Sequence, residues 1–162
     1  MDTQQWTRIF QNHIETLNKQ DIWQLEFDEN IDASRENFGW ENYIRRTIAR
    51  FRCTTCGRSW PSNQVMVIFL MQLMNGKGTV KVRPLRQNCK RCLHAPMVKP
   101  LVESDDIDTL MENLMEKIRI KCYKEELGRK SRRPRHLDVK SPHEPKHCEG
   151  CKMGICMKTE LI

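Results

Sequence analysis

Three pairs of cysteines, each with the spacing C-x2-C, are the residues in this sequence best suited to chemistry. The pairs are Cys53/Cys56, Cys89/Cys92 and Cys148/Cys151. A C-x2-C turn lets both sulfur atoms face one point at about 2.3 Å, which is the bond length that zinc requires. The N-terminal residues contain no apolar segment typical of a signal peptide, so we expect a reducing compartment. The cysteines are therefore interpreted as thiolate ligands and not as disulfides.

The first two pairs flank the clearest local pattern in the sequence. An apolar run, Val65–Met74, is followed by a turn at Asn75–Gly78 and by an alternating segment, Thr79–Leu85. Asn-Gly between two such segments favours a hairpin, because positive φ angles cost little for both residues. A hairpin here would bring the two flanking pairs together, as in a zinc ribbon. The predicted ligands of this four-cysteine site are Cys53, Cys56, Cys89 and Cys92. The hairpin geometry favours this set over an interleaved arrangement with the C-terminal ligands, which the sequence leaves open.

A second zinc site is predicted near the C-terminal end of the sequence. Cys148, Cys151 and Cys156 supply three sulfur atoms and need one more ligand for a tetrahedral site. His143 completes the pattern H-x4-C-x2-C-x4-C. Three other histidines stay open as alternatives, and His147 is disfavoured because its neighbour in the sequence would have to bind the same ion. These alternatives are His147, His94 and His136.

The remaining cysteine, Cys122, continues the apolar stripe of a predicted helix and is interpreted as a packing residue. Both predicted zinc sites have four protein ligands and no open position for water, which is typical of structural zinc. The sequence contains no pattern of a catalytic triad, phosphate-binding glycine loop or apolar carboxylate pair. We therefore expect a protein that is not an enzyme and has no small-molecule substrate.

The surrounding elements predict an α+β fold, with an antiparallel sheet clasped by two structural zinc sites. Trp6, Phe10 and Leu17 fall at helical spacing, whereas Ile22–Phe27 alternates like a strand. Residues 40–52 favour a strand over a helix. We expect one domain over residues 1–162, consisting of a helix (1–20), a sheet with the zinc ribbon (22–103), a helix (104–127), a basic mobile loop (128–146) and a zinc knuckle (147–162).

The formal net charge of +7 is distributed unevenly along the 162 residues. Residues 53–103 carry 8 basic and 1 acidic side chains, whereas residues 104–127 carry 4 basic and 7 acidic ones. Seven thiolates and two zinc ions would reduce the net charge to about +4. The basic side chains that stay available for phosphate, RNA or an anionic lipid surface are expected in one tract: Arg129, Lys130, Arg132, Arg133 and Arg135.

RNA binding is the alternative function that the charge suggests. A further basic group lies on the second half of the hairpin and its knuckle, but aromatic residues for base stacking are few. A protein-binding surface would instead combine these charges with Trp60 and Phe69, although a core position is the favoured interpretation of both aromatics. The basic residues of this group are Lys77, Lys81, Arg83, Arg86, Lys90 and Arg91.

Several motifs together resemble one known family. They are Gly39-Trp40, the run from Phe51 to Cys56, Ser59-Trp60, the run from Gln87 to Cys92, and the run from Cys148 to Cys156 with His143 before it. In order and spacing this set is similar to the 3CxxC-type zinc-finger domain of the receptor-transporting proteins. The resemblance extends from about Trp6 to Cys156.

The resemblance implies a non-enzymatic accessory role with zinc as cofactor. Members of this family help odorant, bitter-taste and opioid G-protein-coupled receptors to leave the endoplasmic reticulum and reach the cell surface. One interferon-induced branch is linked to antiviral defence through RNA binding. Family members typically end in a hydrophobic membrane anchor, whereas no apolar run of about 20 residues occurs here. We therefore expect a cytoplasmic location, peripheral to the endoplasmic reticulum and plasma membrane.

Overall fold

The computed structural model describes residues 2–33, 35, 37–128, 132–140 and 142–156. Its helices and strands follow the order expected for an α+β chain. They are α1 (Thr3–Ile14), β1 (Ile22–Phe27), β2 (Glu41–Arg52), β3 (Ser59–Met74), β4 (Lys77–Pro84), α2 (Ser104–Lys121) and α3 (Glu149–Lys152), with 3-10 turns at Glu15–Leu17 and Pro145–His147. The predicted α+β class is confirmed.

The four strands form one sheet in the order β1-β4-β3-β2. β3 pairs antiparallel with both β2 and β4, as predicted for the hairpin. β1 instead pairs parallel with β4, from Ile22 beside Lys77 to Phe27 beside Val82. The sheet is therefore mixed and not wholly antiparallel.

The hairpin turn between β3 and β4 is shorter than predicted. Only Asn75 and Gly76 lie outside the strands, and both have positive φ angles, of 54° and 76°. These angles are those of the two-residue turn whose twist matches that of the flanking strands. The Asn-Gly pair was therefore the correct indication of the hairpin, and Lys77 already belongs to β4.

Strand β3 is buried on both faces of the sheet, which explains its uninterrupted apolar sequence. On one face, Val67 and Phe69 pack in the main core with residues of α1 and α2. On the other face, Met66 and Ile68 pack with Ile155 and the nearby cysteines of the C-terminal segment. The C-terminal segment thus serves as the second layer that a two-sided apolar strand needs.

The two long helices bury the apolar stripes that the sequence predicts. Asp2 caps α1 by accepting a hydrogen bond from the backbone N–H of Gln5 at 3.1 Å, and Trp6 and Phe10 of this helix are buried. α2 buries its stripe in the same core, and its residues are Ile107, Leu110, Met111, Leu114, Met115 and Ile118. Both helices cover the same face of the sheet.

Helix α2 ends earlier than the predicted boundary at residue 127. Its last residue is Lys121, and the chain turns away at Lys124, which has a φ angle of 56°. Tyr123 then packs against Trp23, whose indole N–H donates to the tyrosine hydroxyl at 3.0 Å. This contact outweighs the helical preference of the following residues, so the helix ends well before Gly128.

α1 is likewise shorter than predicted, because Asn18 adopts the left-handed conformation.

Cys122 follows the last residue of α2 and packs partly buried against the main core. Burial raises the pKa of this thiol to about 11, so it stays protonated near neutral pH. The structure thus supports the interpretation of Cys122 as a packing residue.

No helix among the described residues has the length and apolar character required to cross a bilayer.

Gly78 provides a test of the parallel pairing between β1 and β4. A Cβ atom at this position would lie 2.1 Å from Cδ2 of Trp23. We therefore expect Gly78→Ala to lower the free energy of unfolding by about 1–3 kcal/mol, as other overpacked cores do. The measurement is equilibrium unfolding of the zinc-loaded protein in denaturant. Gly128→Ala is the control because nothing lies within 4 Å of its added Cβ; equal stability of both variants would contradict this packing.

Candidate metal centres

The hairpin brings the first two cysteine pairs together. Cys53 and Cys56 lie in the connection between β2 and β3, whereas Cys89 and Cys92 lie in the loop after β4. The Sγ atoms of Cys53 and Cys92 are 3.8 Å apart, and those of Cys56 and Cys89 are 3.9 Å apart. All four Sγ atoms lie within 4.8 Å of one another. This set is called the first cluster below.

The backbone of the first knuckle holds its cysteines in place. The N–H of Cys53 donates to the carbonyl of Arg58 at 2.8 Å, and the N–H of Gly57 donates to the carbonyl of Cys53 at 3.0 Å. Gly57 has a φ angle of 75°, a left-handed conformation that glycine adopts without steric cost. The N–H of Thr55 points at the Sγ atom of Cys53 at 3.3 Å, which favours a thiolate there.

Arg58 supplies positive charge beside the first cluster. Its Nε atom donates to the Sγ atom of Cys89 at 3.3 Å, while its guanidinium lies 4.6 Å from the centre of the Trp60 ring. Burial raises the pKa of Cys89, but the hydrogen bonds from Arg58 and from the backbone outweigh it and lower the pKa to about 6. The pKa of Cys92 is raised to about 12, first by its hydrogen bond with Cys56. The protein alone therefore does not ionise all four thiols.

A second cluster forms from His143 and the three C-terminal cysteines. The ligand atoms of His143, Cys148, Cys151 and Cys156 lie within 4.8 Å of one another. The Sγ atoms of Cys148 and Cys156 are 3.6 Å apart, and Nε2 of His143 lies 3.3 Å from the Sγ atom of Cys151. Cys148 also caps α3, because its sulfur accepts from the N–H of Cys151 at 3.4 Å.

The thiols of the second cluster influence each other strongly. A hydrogen bond from Cys156 is the main cause that lowers the pKa of Cys148 to about 4, and His143 contributes in the same direction. The same hydrogen bond raises the pKa of Cys156 far above its usual range. One thiol thus ionises at the expense of its neighbour, and only a bound cation would favour ionisation of all three.

The geometry and donor set of both clusters fit zinc. Four ligands at about 2.3 Å in a tetrahedron place sulfur atoms about 3.8 Å from each other. The observed separations of 3.6–3.9 Å match this value. A disulfide would need about 2.05 Å. Four thiolates, or three thiolates and an imidazole, are donor sets of closed structural zinc sites; the two clusters thus provide for two zinc ions.

The alternative histidines lie outside both clusters of the described residues. Nδ1 of His147 is 2.8 Å from Oδ1 of Asn88, and the carbonyl of His147 accepts from the Asn88 N–H at 3.0 Å. His147 therefore joins the second knuckle to the loop that leads into the first one. His94 and His136 are exposed.

Glu149 is a buried residue that the sequence analysis missed. It lies inside the third C-x2-C pair, and Oε2 accepts from Nη2 of Arg83 and from Nη2 of Arg86, both at 2.8 Å. Oε1 accepts from the backbone N–H of Arg86 at 2.9 Å. Burial raises the pKa of Glu149, but the bonds from Arg86 and the charge of Arg83 outweigh it and keep the carboxyl ionised. A lone acidic residue between two cysteine ligands was the only indication in the sequence.

Two of the predicted partner aromatics occupy different environments. Phe69 is fully buried in the main core, which agrees with the core interpretation of this residue and removes it from any partner surface. Trp60 is half-buried, and its indole N–H donates to Oε1 of Gln87 at 2.9 Å. It lines a groove of about 380 Å³ that also contacts His143 and Lys90, one residue from each cluster region.

The described part of the basic tract, residues 132–135, is fastened to α2, whereas a mobile loop was expected there. Nη1 of Arg132 lies 3.0 Å from Glu112, and Nη2 of Arg135 lies 2.6 Å from Asp106. The backbone N–H and carbonyl of Arg132 both bond to the side chain of Asn113, at 2.7 and 2.8 Å. Arg133 is exposed, and Arg129 and Lys130 lie outside the described residues.

Comparison with known proteins agrees with this geometry. The model of a zinc-binding domain family, the 3CxxC zinc ribbon, matches residues 46–154. The chain is 34% identical to mouse receptor-transporting protein 3 over 99% of its own length and 35% of that protein. It is 30% identical to human receptor-transporting protein 4, over 93% of this chain and 63% of that protein. It is 28% identical to human receptor-transporting protein 1, over 94% of this chain and 59% of that protein. No solved structure matches.

A mixed sheet whose loops carry two closed four-donor clusters defines the class as a structural zinc ribbon. More specifically, the chain belongs to the 3CxxC zinc-binding family, and all of the relatives named above are receptor-transporting proteins. The chain spans between about a third and about two thirds of the length of these relatives. The suspected family resemblance is therefore confirmed.

Gly150 tests the packing of the second cluster. An added Cβ would lie 2.8 Å from Sγ of Cys156 and 3.4 Å from Cγ of Met66, so the sulfur has little room to shift. We expect Gly150→Ala to weaken zinc binding at this cluster about 10–100-fold, the range seen when the immediate support of a metal site is disturbed. Titration with a chelator, with bound ions counted by native mass spectrometry, measures this. Lys152→Ala, on the exposed side of α3, should release its second ion at the same chelator concentration as the unmodified protein.

Proposed function

We propose that this chain is a non-enzymatic accessory protein that promotes transport of G-protein-coupled receptors, in particular odorant and taste receptors, to the cell surface. The observation that carries the proposal is the similarity to receptor-transporting proteins over more than nine tenths of this chain. The closed geometry of both clusters supports a structural and not a catalytic use of zinc. The receptor class rests on the family resemblance of the motifs. Residues 1–162 would act as one zinc-stabilised unit.

We further propose that eight residues are the zinc ligands. Their spacing and the separations of their ligand atoms both support this assignment. Four protein ligands would complete the tetrahedral coordination of each ion, which leaves no position for a water molecule. The ligands are Cys53, Cys56, Cys89 and Cys92 for one ion, and His143, Cys148, Cys151 and Cys156 for the other.

Receptor transport is favoured over the RNA-binding alternative because five of the nine described basic side chains that suggested RNA have acidic partners. Lys81 pairs with Asp28, and Arg83 and Arg86 pair with Glu149. In the basic tract, two of the arginines pair with acidic side chains of α2 or of the residue before it. These pairs oppose phosphate binding, because a phosphate would have to displace a carboxylate from each one.

A comparison of two histidine variants tests the ligand assignment. We expect the unmodified protein to carry two zinc ions by native mass spectrometry, and His143→Ala to carry one under mild chelation, because the second cluster loses a ligand. His147→Ala should keep both ions, since its ring bonds to Asn88 and not to a sulfur. Loss of an ion from His147→Ala but not from His143→Ala would contradict the assignment.

Receptor transport is tested by co-expression with an epitope-tagged odorant or taste receptor. We expect the chain to raise the surface fraction of the receptor, measured by antibody staining of intact cells. Cys89→Ser should abolish this gain because it removes one zinc ligand, whereas Cys122→Ser, which changes a cysteine outside both clusters, should keep it. Crosslinking to cellular RNA at roughly 50 and 300 mM salt measures the alternative. Salt-sensitive RNA crosslinking without a gain in surface receptor would overturn the proposal.

A further inference from the structure

The surface around the first cluster is basic and contains no acidic side chain of its own. Residues 50–58 and 86–99, which form the two knuckle loops and their flanks, carry seven Arg and Lys residues and no Asp or Glu. Four thiolates and one zinc ion contribute a charge of about −2, so this region stays positive with zinc bound. The region is called the knuckle surface below.

Four of the basic side chains on the knuckle surface are exposed and form no ion pair with any described residue. The other three have partners: Arg58 bonds to Cys89, Arg86 pairs with Glu149, and Lys99 pairs with Glu29. The first cluster holds the two loops side by side, because sulfur atoms from both loops lie within 4 Å of each other. The four unpaired side chains are Arg50, Arg52, Lys90 and Arg91.

One exposed leucine lies within the knuckle surface, and a second lies two residues beyond it. Leu93 directly follows Cys92 and is 87% exposed, and Leu101 is 51% exposed. The backbones of Leu101 and Arg50 bond to each other at 2.8 and 3.0 Å, so this leucine lies beside the exposed Arg50. A groove of about 610 Å³ runs from Arg52 to Leu101. The knuckle surface thus combines exposed apolar side chains with unpaired positive charges.

We propose that the knuckle surface docks on an anionic phospholipid bilayer. Unpaired Arg and Lys side chains attract acidic headgroups, while projecting leucines insert at the boundary between headgroups and acyl chains. Nucleic acid matches the charge, but no exposed Trp, Tyr or Phe ring lies in the described knuckle loops for base stacking, whereas a bilayer also accommodates the exposed Leu93. This docking does not depend on receptor transport and places the membrane contact away from the basic tract.

Co-sedimentation of the zinc-loaded chain with vesicles tests the proposal. The probes are vesicles of phosphatidylcholine alone and vesicles with 30% phosphatidylserine, at roughly 50 and 300 mM salt (either side of strong screening). We expect binding to the phosphatidylserine vesicles that weakens with salt, and little binding to phosphatidylcholine. Each basic side chain near an anionic surface strengthens binding about fivefold, so the double variant K90Q/R91Q should bind about 25-fold more weakly.

Matched variants distinguish binding through the knuckle surface from the nonspecific attraction of a positively charged protein to an anionic bilayer. R8Q/K121Q removes the same charge from exposed helical positions and should change binding by less than about threefold. Leu93→Ala should weaken binding about tenfold, whereas Phe38→Ala, at an equally exposed residue (86%), should not. Leu93→Phe should keep the binding, which shows that the loop folds around a changed side chain. Native mass spectrometry confirms two zinc ions in each variant.

Three outcomes would overturn the proposal. The first is no binding to phosphatidylserine vesicles. The second is an equal loss of binding in K90Q/R91Q and R8Q/K121Q, or no loss in Leu93→Ala, because adsorption would then be unspecific. The third is displacement of the chain from vesicles by an equimolar oligonucleotide, which would assign the surface to nucleic acid. Vesicle binding that is lost in both knuckle variants and kept in both controls would support it.

Discussion

The arrangement of the sheet depends on one electrostatic constraint, namely that several thiols converge at each of two points. Sulfur atoms less than 4 Å apart cannot all ionise unless a cation offsets their charge. In the first cluster that cation fastens the β2–β3 connection to the loop after β4. The cation thereby fixes the adjoining ends of β2, β3 and β4, at a place where the backbone hydrogen bonds between β3 and β4 have ended. Metal binding and folding are coupled for this reason.

The second cluster solves a different problem, the exposure of an apolar sheet face. Met66, Ile68 and Leu70 lie on the face away from the long helices and would otherwise contact water. A segment as short as residues 143–156 cannot build a stable layer from hydrophobic contacts alone. Zinc would hold this segment in shape, while Glu149 anchors it to two arginines near the end of β4. The buried carboxylate thus has a structural role beside the metal ligands.

The sequence was sufficient for those features that depend on local spacing. The C-x2-C pairs, the Asn75-Gly76 turn and the apolar stripes of α1 and α2 all follow from residues near each other in the chain. The parallel pairing of β1 with β4 is a contact between residues more than fifty positions apart, and no local pattern encodes it. The end of α2 was missed for the same reason, because the contact of Tyr123 with Trp23 decides it.

Charge distribution connects these structural roles with the surfaces left for partners. Several basic side chains of this chain are already engaged within the protein: Arg58 balances a thiolate, and Arg83 and Arg135 bind carboxylates. The formal charge of +7 therefore overstates what a phosphate or lipid can reach. Four unpaired basic side chains remain on the knuckle surface, which zinc would make rigid by joining its two loops at the first cluster. Rigidity matters there, because a preformed surface loses little conformational entropy when it binds a partner.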